Sequence, residues 1–159
     1  MVAWQEPDLP LSDPAAILRS MNREIEEGLA EKLDFDKLAK VAACGRAVLP
    51  VVVQDADTMA VLTLAYADRE ALEKTLADKI AVFWSTSRRE LWVKGASSGD
   101  ALDLVDVRVN CEQNSLLYLV RPRKGGVCHT KDADGATRKT CYYRRLAPGG
   151  KLEYVQNAR

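Results

Sequence analysis

Residues 49–66, LPVVVQDADTMAVLTLAY, decide the fold. Two apolar runs rich in β-branched residues, 49–55 and 61–66, lie on either side of the polar segment Asp55-Ala56-Asp57-Thr58. Valine and threonine favour strands, and aspartate favours turns because its side chain binds nearby backbone amides. The stretch therefore predicts a β-hairpin.

The residues that follow the hairpin predict a helix and then a series of short strands. Asp68 is placed to cap a helix over 69–77, whose Ala71, Leu72 and Leu76 are expected to face inward. Short apolar or alternating runs predict strands at 81–85, 90–95, 102–111, 115–120, 142–146 and 152–155. The expected fold class is α+β, a mostly antiparallel β domain with one internal helix.

Residues 1–46, before the hairpin, predict an N-terminal helical arm on a main domain of residues 47–159. Asp13 and Pro14 suit the cap and first position of a helix, and a second helix is expected from Asp34. The arm has no catalytic pattern and is interpreted as a packing or dimer-contact segment. Its apolar positions at helical spacing are Ile17, Leu18, Met21, Ile25 and Leu29, then Phe35, Leu38, Val41 and Ala42 on one face of the second helix.

The composition predicts a soluble, cytoplasmic, globular protein. Of the 159 residues 47% are hydrophobic and 29% charged, no apolar run is long enough for a membrane span, and residues 1–10 lack the features of a secretory signal. The formal net charge of zero argues against nucleic-acid binding. Residues 121–151 nevertheless carry nine Lys/Arg and two Asp/Glu, which fits either a solvated face or a site for a phosphorylated ligand.

Four cysteines and a single histidine are the candidate metal ligands. Without an export signal a disulfide framework is not expected, and Cys44, in a run of small residues, is expected to be an ordinary buried thiol. Cys111, Cys128 and Cys141 could bind zinc with an open fourth position for a reactive water, or they could be three unrelated packing cysteines. His129 could move protons, complete the metal shell or be structural.

Residues 83–99 are the second candidate cluster. They combine hydroxyl, basic and glycine residues, which suit phosphate recognition, with two tryptophans that could stack a purine. The same pattern fits two core tryptophans beside a polar hairpin, and on composition alone that interpretation is favoured.

Several of these motifs, in this order, resemble the phosphoribosyl-AMP cyclohydrolase family of histidine biosynthesis. The resemblance covers about 49–146 and rests on QDADT at 54–58, LAY at 64–66, STSRRELWVKGASSG at 85–99, Cys111, VCHT at 127–130 and CYYRRL at 141–146. It implies hydrolysis of the adenine N1–C6 bond by an intertwined homodimer with zinc at the subunit interface. Cys111 would come from one subunit and Cys128 and Cys141 from the other.

The resemblance also implies roles for other residues. His129 would act as acid or base for the ring nitrogen. The phosphate, ribose and purine would lie near Ser85, Ser87, Arg88, Trp92, Lys94, Ser97 and Ser98.

Three departures from the family pattern affect the neighbouring chemistry. The usual Asp-Cys-Asp-x-Asp, taken as a magnesium motif, is here Asn110-Cys111-Glu112-Gln113-Asn114, so a tight magnesium site is doubtful. The usual Trp-His-Lys-Gly has Val93 in place of histidine. Residues 131–137 are an insertion that could touch the substrate or bind an ion weakly. A paralogous zinc hydrolase for another purine-like nucleotide, or a non-catalytic zinc- or nucleotide-binding protein, are the alternative functions.

Overall fold

The computed structural model describes residues 14–155, with three helices and eight strands in that range. The predicted cap Asp13 lies outside the described residues. In chain order the elements are α1 (Pro14–Glu27), α2 (Lys37–Ala42), β1 (Leu49–Asp55), β2 (Val61–Ala67), α3 (Arg69–Asp78), β3 (Val82–Ser85), β4 (Glu90–Val93), β5 (Leu102–Val109), β6 (Leu116–Pro122), β7 (Arg144–Ala147) and β8 (Lys151–Tyr154).

The predicted hairpin is confirmed and forms one half of the main sheet, whose strand order is β2-β1-β6-β5. β1 pairs with β6 in parallel, whereas the other pairs among the described strands are antiparallel. β3 with β4 and β7 with β8 form two separate hairpins. The α+β, mostly antiparallel class is thus confirmed, with a single parallel pair at the centre of the main sheet.

The core lies between this sheet, helix α3 and the β3-β4 hairpin. Val51, Tyr118 and Phe83 are fully buried in it, and the Phe83 ring stacks on Tyr118 at a centroid distance of 5.8 Å. The predicted cap is confirmed, since the Asp68 carboxylate accepts a hydrogen bond from the Ala71 amide at 2.8 Å.

The prediction that Leu76 faces inward is wrong, because this side chain is exposed. The buried position of that turn belongs to Thr75. Its hydroxyl accepts the Val82 amide and so joins α3 to β3.

The arm differs from the prediction in its second helix, which begins at Lys37 and not at Asp34. Val41 is buried, but Phe35 and Leu38 are 89% and 72% exposed. Cys44 is half-buried and not fully buried, and its sulfur lies 3.8 Å from the Arg46 carbonyl.

Helix α1 keeps its predicted apolar residues exposed along its length. Its C-terminal end, however, bonds to the C-terminal strands: the Tyr143 hydroxyl donates to the Glu26 carbonyl at 2.6 Å, and the Arg144 guanidinium to the carbonyls of Ile25 and Gly28. None of the helices within residues 14–155 has the length and apolarity of a membrane span.

Candidate functional site

Two of the three candidate zinc cysteines lie together at the ends of the long loop between β6 and β7. The Cys141 amide donates to the Leu62 carbonyl at 2.8 Å, which ties this end of the loop to β2. The Cys128 amide donates to the Arg138 carbonyl at 3.1 Å, so the loop folds back on itself. These backbone bonds hold the two cysteines, 13 positions apart in the sequence, close enough for each thiol to shift the pKa of the other.

The two thiols shift each other's pKa in opposite directions. Cys141 and the Thr130 hydroxyl, 3.1 Å from the Cys128 sulfur, lower the pKa of Cys128 from 9.0 to about 5. Proximity to Cys128 and burial raise the pKa of Cys141. Thiolates are the ligands that zinc prefers, so this pair fits one half of a zinc site.

The third candidate, Cys111, lies apart from this pair and is exposed in the turn between β5 and β6. Within one chain, no group of three His, Cys, Asp or Glu side chains in the described range is close enough to hold a metal ion. The donor set therefore fits zinc when Cys111 of a second chain completes it.

The degenerate magnesium motif in that turn does not fit a magnesium ion. The Asn110 side-chain oxygen already accepts the amides of Asn114 and Ser115, each at 2.9 Å. The Asn114 side chain donates to a Glu112 carboxylate oxygen at 2.9 Å and accepts from Asn110 at 2.7 Å. With these oxygens bonded within the turn and one carboxylate present, the anionic oxygen ligands that magnesium needs are missing.

His129 follows Cys128 and lies on the wall of a cavity of about 1020 Å³. Its side chain is 73% exposed, and its Nε2 lies 2.7 Å from Oε1 of Glu26 on α1. Arg138, on the same wall, is buried, with two hydrogen bonds to Glu27 and one to Thr130. The arm thus forms one side of the cavity that holds the chain's only histidine.

Lys94 lies beside the cysteine pair, where its positive charge acts on Cys141. It is buried, and its ammonium is 5.5 Å from the centre of the Trp92 ring. The bend after it requires glycine: Gly95 has a φ of +80°, and a Cβ there would be 2.2 Å from the Ala101 amide nitrogen. Val93, where the family pattern has histidine, packs against the core.

The predicted substrate residues fall into two groups at opposite ends of β4. Ser85, Ser87 and Arg88 form the β3-β4 turn, in which Arg88 pairs with Glu90 at 3.0 Å. Lys94, Ser97 and Ser98 follow the other end, about 13 Å away for a four-residue strand. Trp92 lies between the groups and packs against Phe83, with ring centroids 5.6 Å apart.

The 131–137 insertion is a short turn that contributes to both cavities. Its Asp132 carboxylate accepts the amides of Asp134 and Ala136 and so serves the turn itself. The smaller cavity, about 560 Å³, is lined by Ser98, Lys124, Lys131 and Lys139 among others.

The contribution of the arm to the His129 cavity was not predicted from the sequence. Glu26 and His129 are 103 residues apart, and no local pattern links them. Arg138 and Thr63, which lowers the pKa of Cys141, were also missed. The basic character of residues 121–151 was a signal for Arg138, but it did not distinguish this residue from its neighbours.

Comparison with known proteins connects this site to one family. The family model for phosphoribosyl-AMP cyclohydrolases matches residues 63–143. A phosphoribosyl-AMP cyclohydrolase of Chlorobium limicola is 36% identical over 134 residues, which cover 84% of this chain and 87% of that protein. Another, of Archaeoglobus fulgidus, is 44% identical over 101 residues, 64% of this chain and 87% of that protein.

A longer relative also matches this chain. The histidine biosynthesis bifunctional protein HisIE of Thermus thermophilus is 45% identical over 106 residues, 67% of this chain. The match covers 46% of that protein, so the chain spans about half the length of this bifunctional relative.

Proposed function

Since the chain belongs to the phosphoribosyl-AMP cyclohydrolase family, we propose that it hydrolyses the N1–C6 bond of the adenine ring of phosphoribosyl-AMP in histidine biosynthesis, with zinc held between two subunits. The observation that carries the proposal is a loop that holds Cys128 beside His129 and ties Cys141 to β2, with the two thiols close enough to shift each other's pKa. The curated relatives named as this enzyme argue for a catalyst and against a protein that only binds zinc or nucleotide.

Zinc is the metal that these residues suit. Cys128 and Cys141 supply two sulfurs, and the exposed Cys111 of a second subunit would supply the third. Zinc bound by three protein ligands lowers the pKa of a water in its fourth position to about 7, which provides a nucleophile at neutral pH.

His129 is the residue we assign to proton transfer at the ring nitrogen. Hydrolysis adds the water oxygen to C6, breaks the N1–C6 bond and leaves a proton on N1. An exposed imidazole on the wall of a 1020 Å³ cavity is placed to take a proton from the attacking water on its unprotonated nitrogen and pass it to N1. Valine at position 93 packs against the core and has no proton to give, so this role falls to His129.

The substrate phosphates are assigned to lysines of the main domain. The charge of the buried Lys94 acts on Cys141, and Lys124, Lys131 and Lys139 line the 560 Å³ cavity together with Ser98. Lysine ammonium groups bind phosphate through charge and hydrogen bonds. The Ser85–Arg88 group lies at the far end of β4 and is the weaker candidate for the same subunit's site.

Turnover is tested by following phosphoribosyl-AMP in the ultraviolet with purified, zinc-loaded protein. Cys128→Ser is expected to lose bound zinc and activity, whereas Cys44→Ser, a matched control outside the site, is expected to keep both. Turnover of another purine nucleotide but not of phosphoribosyl-AMP would instead favour the paralogous hydrolase.

A mixing experiment tests whether two subunits share each zinc. Cys111→Ser and Cys128→Ser are each expected to be inactive alone. In their heterodimer one of the two sites keeps Cys111 from one chain and Cys128 with Cys141 from the other. Random exchange of subunits should then restore about a quarter of wild-type activity. No recovery, with exchange shown by mass spectrometry, would refute shared sites.

A further inference from the structure

The structure shows a contact between the arm and His129 that lies outside the range matched by the family model. Glu26, in the last turn of α1, has its Oε1 2.7 Å from His129 Nε2. The family model matches 63–143 and so excludes Glu26, whereas the 134-residue match with the Chlorobium limicola protein is long enough to include it. Because the chain has one histidine, no other imidazole can form an equivalent contact.

The end of α1 that carries Glu26 is fixed and does not fray. The Glu26 carbonyl accepts a hydrogen bond from the Tyr143 hydroxyl at 2.6 Å. The adjacent Glu27 accepts two hydrogen bonds from Arg138, of 2.7 and 3.0 Å. The Arg144 guanidinium bonds to two further carbonyls, of Ile25 and Gly28. Tyr143 and Arg144 therefore hold the backbone of this turn, and Arg138 holds its Glu27 side chain. The Glu26 carboxylate extends from this anchored turn.

The contact determines which nitrogen of the ring is left for chemistry. A carboxylate only accepts hydrogen bonds, so Nε2 must carry the proton that it donates to Glu26. Nδ1 is then the free nitrogen. An exposed imidazole without such a partner would exchange between tautomers and rotate about its side-chain bonds, which lowers the fraction of time it spends in a reactive geometry.

We propose that Glu26 is a positioning residue, which holds the His129 ring and its tautomer so that Nδ1 faces the substrate in the cavity. This inference rests on the proposed role of His129 in ring opening, and it extends the active site to the N-terminal arm. The arm thereby has a catalytic purpose in addition to packing.

The first test is spectroscopic and needs no turnover. With ¹⁵N-labelled histidine, the only imidazole gives a single pair of ring nitrogen signals. The neutral ring of the wild-type protein should show the Nε2–H tautomer, and Glu26→Ala should shift the signals toward a mixture. Glu24→Ala is the control, since Glu24 lies on the same helix and pairs with the exposed Lys32 at 2.6 Å. An unchanged tautomer in Glu26→Ala would overturn the proposal.

The second test is kinetic. Glu26→Ala should lower kcat about 10- to 100-fold with KM nearly unchanged, as for other residues that orient a catalytic histidine. Glu26→Gln, whose amide oxygen accepts the same hydrogen bond, should recover most of kcat. In a His129→Ala background, Glu26→Ala should have no further effect.

The outcomes separate the proposals. If wild-type protein does not turn over phosphoribosyl-AMP, the proposed function fails. If His129→Ala is slow but Glu26→Ala is unchanged, only the positioning role fails. If Glu26→Ala lowers kcat of the His129→Ala variant by the same factor as kcat of wild type, then Glu26 acts on the structure of the arm and not on His129. The positioning role is then also refuted.

Discussion

Removing the Glu27 carboxylate should release the end of the arm from the domain. Glu27→Ala deletes both oxygens that accept from Arg138, at 2.7 and 3.0 Å, and leaves the guanidinium with Thr130 and the rings of Tyr143 and Tyr154 as remaining contacts. Arg138 is 8% exposed, so its charge stays largely buried without the carboxylate. The same carboxylate also accepts the Tyr154 hydroxyl at 2.9 Å.

The expected loss can be estimated from these contacts. Hydrogen bonds to charged groups contribute about 1.5–3 kcal/mol each, and the 35% exposure of the Glu27 side chain reduces this contribution. We therefore expect a loss of about 2–3 kcal/mol in the free energy of unfolding. For a chain of this length that corresponds to a fall in Tm of about 5–10 °C.

The loss is measured by thermal and urea denaturation at one protein concentration. Glu24→Ala is the control, because the side chains of Glu24 and Lys32 are 62% and 43% exposed and such a pair contributes less than about 1 kcal/mol. A double-mutant cycle with Arg138→Met should give a coupling of about 2 kcal/mol. Equal stability of the Glu27→Ala and Glu24→Ala variants, or no coupling, would refute the reasoning.

The same contact predicts a pH dependence. Hydrogen bonding to Arg138 holds the pKa of Glu27 below its ordinary value of 4.5. A lowered pKa stabilises the folded state above the unfolded value, and this contribution is lost as the pH falls through the folded pKa. The stability difference between wild type and Glu27→Ala should therefore be constant above pH 4.5 and shrink below it.

Two further predictions concern the core and the metal requirement. Thr75→Val removes the hydroxyl that accepts a hydrogen bond from the Val82 amide at 2.9 Å. It should lower the free energy of unfolding, measured from urea midpoints, by about 1–3 kcal/mol. Thr75→Ser, which keeps a hydroxyl, should retain most of the wild-type stability. Because the oxygens of Asn110 and Asn114 are bonded within their turn, zinc-loaded protein should be fully active without magnesium; a kcat that rises severalfold with added magnesium would contradict this interpretation.

The sequence was informative wherever neighbouring residues interact. The hairpin of β1 and β2 was predicted because the turn at Asp55 and the valines beside it act within a few residues, and the Asp68 cap for the same reason. Helix α2 shows the limit of such patterns: the apolar spacing is helical, but Leu38 in the helix and Phe35 just before it are exposed among the described residues.

The assembly of the site depended on contacts between distant residues. Motif order alone led to Cys111, Cys128, Cys141 and His129, because the kinds of residue that bind zinc and move protons are few. The β6-β7 loop bonds to β2 and to itself, and these backbone bonds hold Cys128 near Cys141 while Cys111 lies apart.

Residue identity and short-range spacing, which are written in the chain, were enough for the fold class and the hairpin, and they supplied the candidate reactive residues. Only the tertiary structure decided that Glu26 meets His129 across 103 residues, and that Arg138 holds the arm in place. The physical reason is that a hydrogen bond depends on distance in space, and folding brings together groups whose separation along the chain carries no signal of their contact.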